Sequence, residues 1–167
     1  FNLFRGPWPL VAGATALALV NALTLALIGR PWGITSAFAL WGAKMAVIAG
    51  LDVPHWIYWR GEPSLAVSIF QDPTSIMDLA IIVGALGAAG LMGQYKPQRN
   101  IPPRLLIASM LGGLLMGIGA RLGTGCNIGA FFSGVASGSL HGVVWLLFAL
   151  PGNMIGARLR PLLGMDD

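Results

Sequence analysis

The sequence is poor in charged residues and contains a single cysteine, Cys126. Charged side chains make up 10% of the 167 residues and hydrophobic ones 56%, whereas soluble domains carry about 25% charged residues. So few charges could not cover the surface of a soluble fold, and a disordered chain would be poorer in apolar residues. One cysteine excludes an internal disulfide and a cysteine-only metal site. The remaining class is an integral membrane protein.

Motifs for nucleic acid, nucleotides and metals are also missing. The ten basic residues are scattered or lie at segment ends, so no basic stripe offers a nucleic-acid surface. There is no Walker loop, HExxH motif, CxxC motif or nucleophile elbow. Asp52, His55 and Glu62 lie close in sequence, but their spacing matches no metal-ligand motif. We therefore expect no enzymatic activity, no cofactor and no bound metal.

Long apolar stretches with at most one charged residue are present instead, and they predict the membrane-spanning helices. Five stretches qualify, of which the second is interrupted by Lys44 and the fifth follows a glycine-rich region: 9–28, 32–51, 76–95, 105–122 and 141–157. Asp78 would lie in the first turn of the third helix, where a carboxylate favours the positive end of the helix dipole. The predicted fold is an all-α polytopic membrane protein of about four to five spans, with short re-entrant or broken helices.

Two polar segments set the predicted orientation. Residues 52–75 combine charges, prolines and Trp and Tyr side chains, which is typical of an interfacial segment. Residues 96–104 carry three basic side chains, including Arg99, and no acid, so the positive-inside rule places this loop and the C-terminus in the cytoplasm. Counting spans backwards then places 52–75 in the periplasm and Arg30 in the cytoplasm.

The glycine-rich region 119–141 is the candidate functional site. Non-helical backbone within a membrane is tolerated where it is buried in protein or lines a water-filled cavity, and glycine allows that backbone to approach a ligand. Neutral donors in this region suit an anion that must bind and leave. The candidate substrate path comprises eight residues: Cys126, Asn127, Gly125, Gly129, Thr124, Ser133, Arg121 and Lys44.

The residue types leave alternatives open at three of these positions. Cys126 either contacts a sulfur- or selenium-containing solute through its polarizable thiol or is a small buried packing residue. Arg121 either steers anions or extends to the lipid headgroups. Lys44 either faces a polar cavity within the membrane or lies near an interface because 32–51 is not a full span. His141 could gate the site or relay protons, or simply begin a helix near the surface.

Two blocks of sequence resemble the YeeE/YedE sulfur-transport family. Residues 119–142, GARLGTGCNIGAFFSGVASGSLHG, are similar to the long motif of that family, and residues 29–44, GRPWGITSAFALWGAK, are similar to a stretch of its carboxyl-terminal half. The resemblance implies a single membrane domain over 1–167 that forms one half of an inverted-repeat transporter. It also implies that Cys126 hands a sulfur anion along the path. Full-length members have a second half with its own Gly-Cys motif, which this chain lacks.

The leading hypothesis is a permease, or half of one, that moves a small sulfur-containing anion such as thiosulfate across the inner membrane. Its expected partners are that anion or a selenium analogue, the lipid bilayer, and an N-terminal half or partner membrane protein. A second hypothesis is a non-transporting subunit that packs against a larger membrane complex through its small-residue faces. A third is a thiol enzyme acting on sulfur or selenium at the membrane, for which His141 is the only nearby base in the sequence.

Overall fold

The computed structural model describes residues 8–97 and 100–161, and all regular structure within these ranges is helical. Arg99, one of the three basic residues of the predicted cytoplasmic loop, lies outside the described residues. The chain divides into two compact units, Phe1–Tyr95 and Lys96–Asp167. Six α-helices follow one another along the described chain: α1 (Leu10–Ile28), α2 (Thr35–Ile48), α3 (Pro73–Leu91), α4 (Pro103–Leu122), α5 (Ser133–Ala136) and α6 (Leu140–Leu159).

Four helical stretches are long and apolar enough to cross a membrane. They are α1, α3, the stretch Pro103–Ala136 that begins with α4, and α6. Few of their side chains are buried inside the protein, which fits helices whose apolar surfaces face lipid or further helices. The predicted fold class, an all-α polytopic membrane protein with about four to five spans and broken helices, is therefore confirmed.

The α2 helix is shorter than its sequence suggested. It contains 14 residues, which corresponds to about 21 Å at 1.5 Å per residue, whereas the hydrocarbon core of a bilayer is about 30 Å thick. Apolar residues at both ends of the predicted span, 32–34 and 49–51, lie in turns and loops instead. On its own, α2 does not span the bilayer.

The segment between α2 and α3 folds back onto α2. Two short 3₁₀ turns, Val53–His55 and Pro63–Leu65, interrupt it. The buried side chains of Val53 and Trp59 join Leu40 and Ala43 of α2 in one apolar cluster. The segment is thus anchored by packing against α2.

The beginning of α2 and the beginning of α3 lie at the same end of the first unit. Arg30, just before α2, donates to Thr74 Oγ1 over 3.4 Å and lies 3.9 Å from a carboxylate oxygen of Asp72. The sequence-based placement of Arg30 and residues 52–75 on opposite sides of the membrane does not fit these contacts, which join Arg30 to the end of that segment. That placement counted 32–51 as a complete crossing.

Helix α3 begins three residues earlier than predicted, and a different aspartate caps it. Pro73 occupies the first helical position, and Asp72 Oδ2 accepts a 2.7 Å hydrogen bond from the Ser75 backbone N–H. Asp is favoured before the helix because its side chain accepts a hydrogen bond from a backbone N–H that has no partner within the helix. Pro is favoured at the first helical position because it has no N–H that would need a partner. The expectation that Asp78 provides the N-terminal charge in the first turn is wrong, since Asp78 is the sixth residue of α3.

Candidate functional site

The backbone leaves the helical conformation directly after α4 and presents Cys126 in the resulting loop. Thr124 has a φ of 50° and Gly125 a φ of 148°, values that L side chains adopt rarely and glycine readily. Two bonds fix the loop to the end of α4, from Gly123 N to Gly119 O and from Gly125 N to Ala120 O, both 2.8 Å. The thiol-bearing residue is therefore held at a defined break in an apolar stretch.

A π-helical turn (Asn127–Phe132) follows the loop and runs into α5. Its first contact with the loop is a 2.7 Å hydrogen bond from Ala130 N to Cys126 O. Gly125 lies so close to Ala130 that a Cβ at position 125 would stand 2.8 Å from the Ala130 nitrogen. Turns of this type interrupt helices frequently at functional sites. Here the turn stays in contact with the loop that carries Cys126.

Helix α6 closes this arrangement from the other side. A Cβ at Gly142 would lie 2.9 Å from Ala130 O and 2.9 Å from Val135 N, so only glycine fits at that distance. The rings of Phe131 and Trp145 stack at 6.2 Å between centroids and 19° between planes. Close backbone contact through small residues is the usual way in which membrane helices pack.

His141, in the first turn of α6, connects that helix to the loop before Cys126. Its Nε2 lies 3.0 Å from Gly123 O and 2.8 Å from Thr124 Oγ1. Because a carbonyl oxygen only accepts, this geometry assigns the hydrogen to Nε2, which donates to Gly123 O. Neither a gate nor a proton relay is needed to explain this position: the imidazole holds the loop that carries the thiol.

The predicted path residues of the second unit lie close together in sequence and structure. Cys126 is half-buried, whereas Thr124 and Asn127 are exposed and Gly125 is buried. Gly129 is half-buried within the π turn. These residues, 124–127 and Gly129, thus belong to one continuous local element made of the loop and the π turn.

Two further predicted residues of this unit have different surroundings. Ser133 is 1% exposed, and its backbone oxygen accepts hydrogen bonds from both the N–H and the hydroxyl of Ser137. Arg121 lies in the last turn of α4 with an exposed side chain, where a cation is favoured by the helix dipole. Ser133 is thus enclosed by its own unit, whereas Arg121 remains reachable from outside it.

Lys44 belongs to the first unit and contacts the interfacial segment. Its Nζ donates to Leu65 O over 3.0 Å. It also lines a groove of about 790 Å³ together with Trp59 and Glu62 of that segment. Of the two alternatives for Lys44, these contacts favour a position near the interface.

The side chains of Asp52 and His55 form an exposed pair on the first 3₁₀ turn. His55 Nδ1 lies 2.6 Å from Asp52 Oδ1. The hydrogen bond to Asp52, with the attraction of its charge, raises the pKa of His55 above its ordinary value. Across residues 8–97 and 100–161, no three His, Cys, Asp or Glu side chains are grouped so that they could hold a metal ion.

His141 is the site residue that the predicted set omitted. The only sequence signal for it is that it is the single titratable side chain between Leu122 and Ala157 apart from Cys126. Its contacts with Thr124 and Gly123 join residues that are 17 and 18 positions apart, respectively. No local sequence pattern reveals contacts over that separation.

Comparisons with known proteins assign the family. The sequence model described as "Sulphur transport" matches residues 1–155. The chain is 27% identical over 159 residues to "Probable transporter YedE" of Escherichia coli strain K12, which covers 93% of this chain and 38% of that protein. It is 31% identical over 143 residues to "Thiosulfate transporter TsuA" of Spirochaeta thermophila, covering 84% of this chain and 38% of the relative.

The chain thus spans less than half the length of the curated relatives it matches. No solved structure shows significant similarity to it. The resemblance seen in the two sequence blocks is confirmed by a family match that extends over nearly the whole chain. The chain therefore belongs to the sulphur transport family.

Proposed function

We propose that this chain is part of a membrane permease that moves a small sulfur-containing anion, such as thiosulfate, past Cys126. The observation that carries the proposal is the break after α4, where Thr124 and Gly125 adopt positive φ and leave a half-buried thiol in an otherwise apolar stretch. Such backbone is tolerated in membranes where it is enclosed by protein or lines a cavity. Family membership and the printed name of the TsuA relative support a sulfur anion as the substrate.

The chemistry of the loop suits a soft anion that must not be trapped. A thiol is a weak donor with a polarizable sulfur, so it can contact the terminal sulfur of thiosulfate without the strong attraction of a fixed cation. Thr124 and Asn127 on either side of the thiol are exposed and add neutral polar groups. Arg121, in the last turn of α4 directly before the loop, adds a positive charge at its entrance. In this proposal, Lys44 belongs to the approach from the interface.

We also propose that a further membrane segment completes the path. Each of the two relatives described above is more than twice as long as the matching region. Among the residues of α4, only Ala108 is buried, so nearly all of this helix is available to lipid or to another helix. The expected location is the bacterial inner membrane with a cytoplasmic C-terminus, following the distribution of basic residues.

The test is uptake of radiolabelled thiosulfate into proteoliposomes that contain the protein with any membrane chains that copurify. Cys126→Ser keeps the size of the residue and removes the sulfur, so we expect uptake to fall to the level of empty liposomes. Ser68→Ala is the control, because Ser68 is an exposed small polar residue outside the region 119–141. Unchanged uptake by Cys126→Ser would exclude the thiol from the path.

Two other outcomes would redirect the assignment. Wild-type protein that binds other membrane chains in fixed stoichiometry but supports no uptake would favour the non-transporting subunit. Stronger inhibition by selenosulfate than by unlabelled thiosulfate would identify a selenium anion as the preferred substrate.

A further inference from the structure

The first unit contains a buried carboxyl group for which the proposed transport path has no role. Asp78 lies on α3, one of the candidate membrane spans, and is 2% exposed. Both of its carboxylate oxygens are inaccessible and have no hydrogen-bond partner among the described residues. Ionisable side chains inside membrane helices are rare and usually have a functional reason.

The other buried polar side chains of this unit differ from Asp78, because each has an internal partner. Asn21 Oδ1 accepts from Trp32 N, Thr24 Oγ1 donates to Val20 O, Thr74 Oγ1 accepts from Arg30, and Ser75 Oγ accepts from Trp41 Nε1. Buried polar groups are normally satisfied in this way. Of the buried Asn, Thr, Ser and Asp side chains of this unit, Asp78 is the one that can change its charge.

Within the part of the chain that the structure describes, no cation on α1, α2 or the turn before α2 pairs with Asp78. The helix packed against α3 is α2, whose one charged residue, Lys44, donates to Leu65 O. Arg30, which precedes α2, contacts Asp72 and Thr74, and α1 carries no charged residue. Within the described residues, Asp78 takes part in no ion pair. An ionised carboxylate here would be both desolvated and unpaired, which is the costliest arrangement for a charge.

We propose that Asp78 is a proton-binding site and that a proton bound to its carboxylate accompanies the anion across the membrane. The inference rests on the proposed transport function and adds the coupling ion to it. The step is a simple proton transfer: a carboxylate oxygen binds a proton from the outer solution, and releases it on the inner side. A proton suits the site better than a metal cation, because within residues 8–97 and 100–161 no three His, Cys, Asp or Glu side chains are grouped to hold a metal ion.

The experiment uses proteoliposomes that contain the protein as purified, with the membrane potential clamped by potassium and valinomycin. Exchange of internal unlabelled for external labelled thiosulfate, at equal pH on both sides, tests transport alone. Net uptake driven by an acidic exterior tests coupling. For one coupled proton, a difference of one pH unit is expected to raise accumulation by up to about tenfold. In Asp78→Asn we expect the exchange to persist and this accumulation to disappear.

The control is Asp52→Asn, which removes an exposed carboxylate of the interfacial segment and should retain the response to pH. A second measurement uses only the wild-type protein: trapped pyranine should report internal acidification when thiosulfate is added outside. Labelled thiosulfate entry without acidification would overturn the proton site, even if Asp78→Asn failed to fold. Accumulation driven by a sodium gradient at equal pH would overturn it as well, whereas absence of exchange in the wild type would instead refute the transport function.

Discussion

Replacing Gly142 with alanine should destabilise the second unit, although the same change elsewhere in α6 should stabilise it. Gly142 is buried where α6 meets the π turn and α5. A Cβ there would lie 2.9 Å from Ala130 O and 2.9 Å from Val135 N, both of them backbone atoms, whereas ordinary contacts begin at 3.4 Å. The neighbouring backbone would have to move by about 0.5 Å in a closely packed environment.

The expected size follows from two opposing effects. Overpacking of this kind costs about 1–3 kcal/mol, and replacing glycine by alanine in a helix returns about 0.8–1.0 kcal/mol. Because the clashing atoms belong to the backbone and cannot rotate away, we expect a net loss towards the upper end of the difference, up to about 2 kcal/mol for Gly142→Ala. Gly156, in the same helix, has nothing within 4 Å of its Cβ position, so Gly156→Ala should gain up to about 1 kcal/mol.

The assay is reversible unfolding in mixed micelles by titration with SDS, followed by tryptophan fluorescence. Trp145, which stacks on Phe131 at this contact, places a fluorophore at the affected position. The two variants should move the midpoint in opposite directions. Equal stabilisation by both would refute the close approach of α6 to the π turn, and with it the geometry that supports the loop of Cys126.

Three further substitutions test separate contacts. His141→Phe removes the hydrogen bond to Gly123 O, which is worth about 1 kcal/mol. Because the loop would then open more often, maleimide alkylation of Cys126 should become about fivefold faster. An unchanged rate would show that the imidazole does not hold the loop. Asp72→Ala removes the cap of α3 and should lower the free energy of unfolding by about 1 kcal/mol, measured by the same SDS titration; no loss would exclude capping. Asp52→Asn should lower the pKa of His55 towards its ordinary value in an NMR titration. Because that pKa is raised in the fold, the stabilisation from the pair is complete below about pH 6.5 and is lost as the pH rises through the raised value; a titration unaffected by the substitution would refute the pairing.

The long helices could be predicted from sequence because the bilayer requires long uncharged runs, but their ends could not be taken from hydropathy alone. Helix α3 was predicted to begin at residue 76, the first residue of the apolar run, whereas it begins at Pro73. The start is determined by the Asp72–Pro73 pair, a capping signal that is present in the sequence. The α2 helix was overestimated for the opposite reason, since apolar residues that flank it lie in loops rather than in the helix.

The candidate site was predictable where its residues are contiguous. The loop, the π turn and α5 occupy positions 123–136, so glycine content and the absence of charge were enough to indicate broken helices there. Contacts between distant residues were not predictable in the same way. The contact of Lys44 with Leu65 and that of His141 with Gly123 depend on how elements fold back on one another, and a single sequence contains no direct record of such pairs.

One proton bound at Asp78 can offset only part of the electrical cost of importing a dianion. Moving one elementary charge across 100 mV changes the free energy by about 2.3 kcal/mol, so importing a dianion such as thiosulfate into a compartment that is negative inside costs about 4.6 kcal/mol. One accompanying proton offsets half of this cost, and one net negative charge still moves inward. A single carboxyl therefore weakens the opposition of the membrane potential without abolishing it. The remainder must come from the pH difference, from consumption of the anion inside, or from a second cation bound outside the described residues.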